Sequence, residues 1–257
     1  MKNRVKELLK SGQPAVGSWI SLPSPASAEH MAGMGFDWLV IDTEHGATDY
    51  ETLEDMIRAL KGADCAPMAR VPWNDPVLIK RVLDRGASGL VIPMISTGEE
   101  ARAAVAACKY PPEGIRGIAG TRTSRYGMDL MDYYHDWNKQ GVVVCQIETE
   151  EGVKNIRDIM STPGVDAIFV GPNDLSAGLG VFRQFDHPKF KEAMERIIKA
   201  GRETGVPTGY HAGSADEALA KIEQGFQFVA VASDARFMAA AASGAASKIL
   251  GGLKRNG

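Results

Sequence analysis

An α/β fold of the (β/α)8 TIM-barrel type is predicted by three features of this chain. Eight short β-rich runs alternate with eight segments of helical period. The length of 257 residues suits one barrel of about 250 residues, and no Pro/Ser-rich linker or shift in composition divides it, so residues 1–257 read as a single domain. Acids, histidines and an arginine recur where the runs end. An open doubly wound sheet also alternates strand and helix, but eight units in this length favour the closed barrel.

The expected strands are Val16 to Ile20, Trp38 to Asp42, Pro67 to Val71, Gly89 to Pro93, Val142 to Ile147, Ala167 to Gly171, Thr208 to His211 and Phe228 to Ala232. Nearly continuous apolar runs of this length are what strands covered on both faces look like. A helix follows each. Asp49 to Lys61 places Leu53, Met56, Ile57 and Leu60 on one face, and Asp75 to Arg85 does the same with Leu78, Ile79, Val82 and Leu83. Asp49 and Asn74 are the expected N-caps, since a short polar side chain there satisfies a free amide of the first turn. The segment from Tyr110 to Gly127, with Pro111-Pro112 and four glycines, has no period and reads as a loop that closes or shapes a site. Its Arg116, Arg122 and Arg125 either contact substrate or pair with acids or a neighbouring subunit.

In such a barrel chemistry gathers at the carboxyl ends of the strands, where this chain carries Asp42, Glu44 and His45, then Arg70, Gln146 and Glu148, Asp174, and His211. An acid at the end of a buried run is costly unless a cation meets it. Glu148 and Asp174, on neighbouring strands, read as ligands of a divalent metal ion. Oxygen-only ligation favours Mg2+ or Mn2+, with Co2+ and Zn2+ as further candidates. Two protein ligands leave positions for water and a chelating 2-oxo acid; the alternative is that either acid caps the following helix. His45 reads as a general base or as a structural hydrogen-bonding residue. Arg70 either stabilises an enolate oxygen or pairs with Asp42 or Glu44. The amides of the Gly171-Pro172-Asn173 turn would receive a carboxylate.

Composition narrows the partners. The formal charge of -3, from 29 basic and 32 acidic residues without a basic stripe, points away from nucleic acid and membranes and toward small molecules. Cys65, Cys108 and Cys145 are widely spaced within apolar segments, which fits reduced core thiols in a cytoplasmic protein. The charged start and the lack of an eighteen-residue apolar stretch predict neither a signal peptide nor a membrane span.

Five stretches carry a family resemblance: Gly35 to His45 (GFDWLVIDTEH), Arg70 to Pro76 (RVPWNDP), Tyr110 to Gly117 (YPPEGIRG), Gln146 to Thr149 (QIET) and Gly171 to Ser176 (GPNDLS). Through them the chain resembles, almost end to end, the HpcH/HpaI aldolases, class II pyruvate aldolases of the phosphoenolpyruvate/pyruvate superfamily. The resemblance implies a barrel whose C-terminal helix is exchanged between subunits of a hexamer built as a trimer of dimers. It implies that Glu148 and Asp174 bind the metal, that His45 is the base, and that Arg70 binds the pyruvyl oxygen. Asp42 and Asp84 would support the histidine, the amides of Gly171 and Asn173 would bind the pyruvate carboxylate, and Gln146 would lie near the metal and its waters. The implied reaction is reversible cleavage of a 4-hydroxy-2-oxo acid to pyruvate and an aldehyde. The stretch Thr208 to Gly213 (TGYHAG) and Tyr126-Gly127 depart from family members acting on a seven-carbon dicarboxylate, which leaves the acceptor aldehyde open.

Other chemistries remain as alternatives. Acyl-CoA lyase activity of the citramalyl-CoA type would use the same acidic pair, with Arg122 and Arg125 for the nucleotide phosphates. A phosphate-binding isomerase would use His211-Ala212-Gly213-Ser214, and a catalytically silent binding barrel is the last. A Schiff-base aldolase needs a desolvated lysine at a strand end, and none of the fourteen lysines stands there.

Overall fold

The computed structural model describes residues 2–253. Eight parallel strands form a closed barrel in sequence order: β1 (Ala15–Ile20), β2 (Trp38–Asp42), β3 (Ala66–Arg70), β4 (Gly89–Ile92), β5 (Val142–Ile147), β6 (Ala167–Val170), β7 (Thr208–Ala212) and β8 (Phe228–Ser233). Every expected strand is present to within a residue at either end. Their sequence signal is strong because both faces are dry, one against the lumen and one against the helices.

Side chains alternate across a strand, so in a closed sheet every second residue points into the lumen. Trp38, Val40 and Asp42 of β2 share one parity; so do Ala66, Met68 and Arg70 of β3, and Val142, Val144 and Gln146 of β5. The lower members of these series pack together with Phe169, Phe228 and Ala230, and Val5 and Leu9 of the N-terminal helix Arg4–Lys10 close the bottom. The opposite parity, including Leu39, Ile41, Cys145 and Ile147, joins a larger core beneath the surrounding helices. The lumen is therefore apolar where the strands begin and polar where they end. All three cysteines are buried free thiols.

Trp38 sets the packing at the base. Its indole is fully buried, stacks on Phe228 at a centroid separation of 4.1 Å and donates from Nε1 to the Ala15 carbonyl at 3.1 Å. The ring crosses the neighbouring strand at Gly17, where a Cβ would lie 2.1 Å from an indole carbon. Only glycine leaves that space.

The helices follow the expected alternation, with additions. Tyr50–Ala59 begins at Asp49, whose side chain accepts from the Thr52 amide at 2.8 Å. Pro76–Arg85 is capped by Asp75 rather than Asn74: the Asp75 carboxylate accepts from the amides of Val77 and Leu78, while Asn74 donates to the Glu100 carbonyl. Proline at the first helical position fixes the cap on the residue just before it. The C-terminal helix Asp234–Gly252 leaves the barrel, and from Arg236 onward it is exposed along its length. No helix among the described residues is long and apolar enough to cross a membrane.

Replacing Gly17 with alanine should force the Trp38 ring out of its stack. The expected cost is about 1–3 kcal/mol, read as a lower urea midpoint with an unchanged m-value.

Candidate active site

Strand register builds the site. Asp42 and Arg70 are paired positions on β2 and β3, both facing the lumen, so their side chains meet. Arg70 Nε and Nη2 donate to the two carboxylate oxygens of Asp42 at 3.0 and 2.7 Å, and Nη1 lies 2.9 Å from Glu44 Oε2. The guanidinium also lies over the Trp19 ring, 4.5 Å from its centroid. Both ion pairs foreseen as alternatives thus form together, and one N–H on each terminal nitrogen is left for a substrate oxygen.

The β5–β6 register pairs Ile147 with Val170, which brings Glu148 alongside Gly171. A Cβ at Gly171 would lie 2.5 Å from Glu148 Oε1 and 3.1 Å from Gln146 Nε2, so glycine is what lets this carboxylate occupy the lumen. Gln146 Nε2 donates to Glu148 Oε1, and the Met94 amide donates to Oε2 at 3.1 Å. Burial pushes the Glu148 carboxyl up to about 7, and the nearby charge of Asp174 pushes the same way. Burial also raises Glu44, though Arg70 opposes it. Asp42, Glu44, Glu148 and Asp174 crowd one mouth against the guanidinium of Arg70, and Gln146 Oε1 is buried without a partner. A cation between Glu148 and Asp174 would relieve the crowding of negative charge, so the donor set fits a divalent ion. Among the described residues no three or more acids, histidines or cysteines are grouped so that they could hold a metal ion.

Helix Pro172–Gly178 starts where β6 ends, and its first internal bond runs from the Leu175 amide to the Gly171 carbonyl. The amides of Asn173 and Asp174 therefore have no helical acceptor and are available to an anion. The Gly171 amide is not: it donates to the Ile147 carbonyl at 3.3 Å and belongs to the sheet, which corrects the expectation that it receives a carboxylate.

His45 stands at the rim, with its side chain 70% exposed and Nε2 3.9 Å from Glu44 Oε2. Asp42 supports it through the backbone, its Oδ1 accepting from the amides of Glu44 and His45 at 3.1 and 3.4 Å. Asp84 does not support His45 within this chain. It lies in the last turn of helix Pro76–Arg85, just before β4 starts, and so at the amino end of the barrel. There it accepts from Arg116 at 2.9 Å; that guanidinium is buried between the rings of Tyr110 and Trp137, 4.6 Å from each centroid. The loop after Tyr110 is moored at the same end. Arg122 donates to the Arg85 carbonyl, Arg125 pairs with Asp129, and none of the three arginines lines the mouth of this chain. The pairing alternative holds for Arg116 and Arg125, and the groove that Arg122 and Arg125 line together with Arg58 and Lys61 shares no residue with the mouth.

The mouth encloses a cavity of about 250 Å³ bounded by Asp42, His45, Arg70, Gln146, Gly171, Asn173 and Asp174 on one side, and by Trp19, Ser21, His211 and Ser233 on the other. A larger groove of about 910 Å³ lies outside the barrel and touches none of these residues. Trp19, Ser21 and Ser233 were not singled out from the sequence, although Trp19 shares the inward parity of Gly17. Asp234 was also missed. Its buried carboxylate accepts from Ser21, Leu22 and Ser27 and ties the C-terminal helix to the end of β1. His211 packs edge-on against Trp19, with ring centroids 6.0 Å apart. Burial, then the charges of Arg70 and Arg236, lower its imidazole to about 4.

The family model described as HpcH/HpaI aldolase/citrate lyase matches residues 15–241. A 4-hydroxy-2-oxo-heptane-1,7-dioate aldolase from Salmonella dublin is 42% identical over 260 residues, covering 100% of this chain and 97% of its own. A 5-keto-4-deoxy-D-glucarate aldolase from Shigella sonnei is 43% identical over 233 residues, covering 90% and 91%. Among solved structures, an HpcH/HpaI aldolase/citrate lyase family protein from Burkholderia cenocepacia J2315 superposes with a TM-score of 0.93 at 37% identity, covering 96% of this chain and 99% of that one.

The His211 imidazole should titrate near pH 4 by NMR, well below the ordinary 6.5. With the folded value depressed, the unfolded chain takes up a proton that the folded one refuses. Stability due to this group should be complete above about 6.5 and decline as the pH falls toward 4. An imidazole titrating at or above 6.5 contradicts its neutral placement.

Proposed function

The chain belongs to the HpcH/HpaI aldolase/citrate lyase family, and we propose that it is a carbon–carbon lyase, a class II pyruvate aldolase that reversibly cleaves 4-hydroxy-2-oxo acids to pyruvate and an aldehyde. The observation that carries this reading is the surplus of carboxylates at the mouth, with Glu148 and Asp174 together beside free amides and a half-committed guanidinium. Glu148 and Asp174 are the proposed ligands of a divalent cation, Mg2+ or Mn2+ by their oxygen donors, which when bound supplies Lewis-acid polarisation of the 2-oxo group.

The remaining work falls to side chains and amides of this barrel, with residues 1–257 acting as one unit. The amides of Asn173 and Asp174 hold the pyruvyl carboxylate. Gln146 keeps Glu148 in position. Asp42 and Glu44 hold Arg70 rigid, and its two uncommitted N–H groups meet the oxygen on which negative charge develops. His45, directly or through one water, removes the proton of the C4 hydroxyl, a contribution of about 10²–10⁴ in rate. As the C3–C4 bond breaks, the hydroxyl carbon leaves as the aldehyde and the electron pair remains on the three-carbon fragment as its enolate. Protonation at C3 then gives pyruvate.

Assembly is part of the same reading. Helix Asp234–Gly252 exposes Phe237, Met238, Ile249 and Leu250, an apolar content that a lone barrel leaves in water. We propose that this helix is exchanged with a partner subunit in a hexamer. Light scattering should return a mass near six times 27.6 kDa; a monomer at micromolar concentration rejects the exchange.

Activity is tested by coupling pyruvate release from a panel of 4-hydroxy-2-oxo acids to lactate dehydrogenase. Dialysis against EDTA should abolish release and added Mn2+ should restore it, while Glu148→Gln or Asp174→Asn should each lower kcat/KM by about 10²-fold or more. Release that survives all three treatments removes the metal from the reading. A covalent adduct after borohydride with pyruvate would transfer the chemistry to a lysine, and faster turnover of citramalyl-CoA would transfer it to the acyl-CoA lyases.

A further inference from the structure

Glu148 is held by two donors, and one of them comes from a strained turn that the chemistry assigned above does not use. Its Oε1 accepts from Gln146 Nε2, while Oε2 accepts from the backbone amide of Met94 at 3.1 Å. Met94 lies two residues past the end of β4, and its φ of 57° falls in the left-handed region. That region costs energy for a residue with a Cβ and is visited readily only by glycine and, less often, by asparagine and aspartate. Nothing in a methionine side chain favours it, and this one is 38% exposed rather than packed into place.

Hydrogen bonds on either side explain why the turn is kept. The next amide, that of Ile95, donates to the Gln146 carbonyl at 3.1 Å. The amides of residues 94 and 95 therefore both serve β5 and the carboxylate at its end. Successive amides of an extended strand point to opposite sides, so two adjacent ones reach the same neighbour only if the residue between them leaves the extended conformation. That residue is Met94. Adjacent amides turned to one side in this way form a concave receptor for negative charge. Further along, the Ser96 hydroxyl meets that of Thr149 at 2.7 Å, and the Ser96 carbonyl accepts from Asn155 at 2.9 Å. These bonds fasten the connection after β4 to the segment after β5, so the strain at Met94 has no simple route of release.

We propose that Met94 is a positioning residue for Glu148: its left-handed backbone aims an amide at Oε2, so that with Gln146 on Oε1 the carboxylate is held in one orientation before any ion arrives. The inference rests on the metal-dependent aldolase reading and adds to it how one ligand is preorganised. It makes the backbone at residue 94, and not the thioether, the functional element.

The test replaces Met94 and measures Mn2+ binding by electron paramagnetic resonance of the free ion, alongside thermal unfolding without metal and the kcat of pyruvate release. Met94→Gly and Met94→Asn accept the left-handed region and keep the amide, so both should bind Mn2+ within about twofold of the intact enzyme. Met94→Val, β-branched and resistant to this conformation, should weaken Mn2+ binding by about five- to tenfold, with kcat recovering as Mn2+ is raised. An ester in place of the amide between residues 93 and 94 removes the donor and keeps the side chain, and it should weaken binding by a similar factor. Mn2+ binding that survives both the ester and Met94→Val, even with a lowered unfolding temperature, makes the turn merely structural and overturns the proposal. Binding lost in Met94→Gly and Met94→Asn assigns the effect to the thioether and overturns it as well. If the intact enzyme binds no Mn2+, or Glu148→Gln binds it equally tightly, the metal reading falls and this inference with it.

Discussion

The alternation of side chains across a strand, imposed on a sheet that closes on itself, is the constraint from which this molecule follows. Once Trp38 and Phe228 occupy the bottom of the lumen, parity decides what occupies the top. Two steps along β2 from Val40 comes Asp42, and two steps along β3 from Met68 comes Arg70. Two steps along β5 from Val144 comes Gln146, followed on the same parity by Glu148. A slip of one residue in any stave would bury the acids against the helices and push Ile41, Ala69 or Ile147 into the mouth. The apolar base thus does more than stabilise; it sets the phase of the chemistry above it.

Charge at the mouth is the second consequence. The guanidinium of Arg70 is neutralised by its own neighbours, so it cannot also offset Glu148 and Asp174. With Glu148 buried and its carboxyl lifted to about 7, the site is under electrostatic pressure that a divalent ion relieves better than a proton, because one ion answers two carboxylates. That pressure has a benefit for function. A site that cannot neutralise itself retains affinity for the cation and still leaves coordination positions for a chelating substrate.

Much of this was legible in the sequence because the strands are dry on both faces, which gives unbroken apolar runs with sharp polar ends. The pairing of Asp42 with Arg70 was foreseen as one alternative, and strand register turned it into a necessity. What the sequence concealed lies where two residues compete for one role or where distance in space is unrelated to distance along the chain. Asn74 and Asp75 are both good caps, and Pro76 decides between them. Gly171 looks like an anion-binding amide, but the sheet claims its N–H, and its importance is the missing side chain beside Glu148. Asp84 stands at the wrong end of its helix to meet His45 in the same chain. Trp19 and Asp234 gave no motif, since their roles arise only when β8 closes against β1.

The two halves of the mouth differ in how tightly they are tied to the fold, and this bears on how such a barrel accommodates different aldehydes. On the pyruvate side each functional group is locked to another: Asp42 to Arg70, Arg70 to Glu44, Gln146 to Glu148, and Glu148 to the space at Gly171. Removing Arg70 alone would strand the buried charge of Asp42 and leave Glu44 unpaired, with a cost of several kcal/mol by the usual penalty for breaking such pairs. On the side of β7, β8 and β1, Trp19 and His211 touch through their ring faces and edges while their nitrogens stay unpaired. His211 can therefore be exchanged for an apolar residue without orphaning a partner in this chain. The polar groups on the side of β2, β3, β5 and β6 are held by their own hydrogen bonds, whereas the wall of β7, β8 and β1 is one that the fold of this chain leaves free to vary.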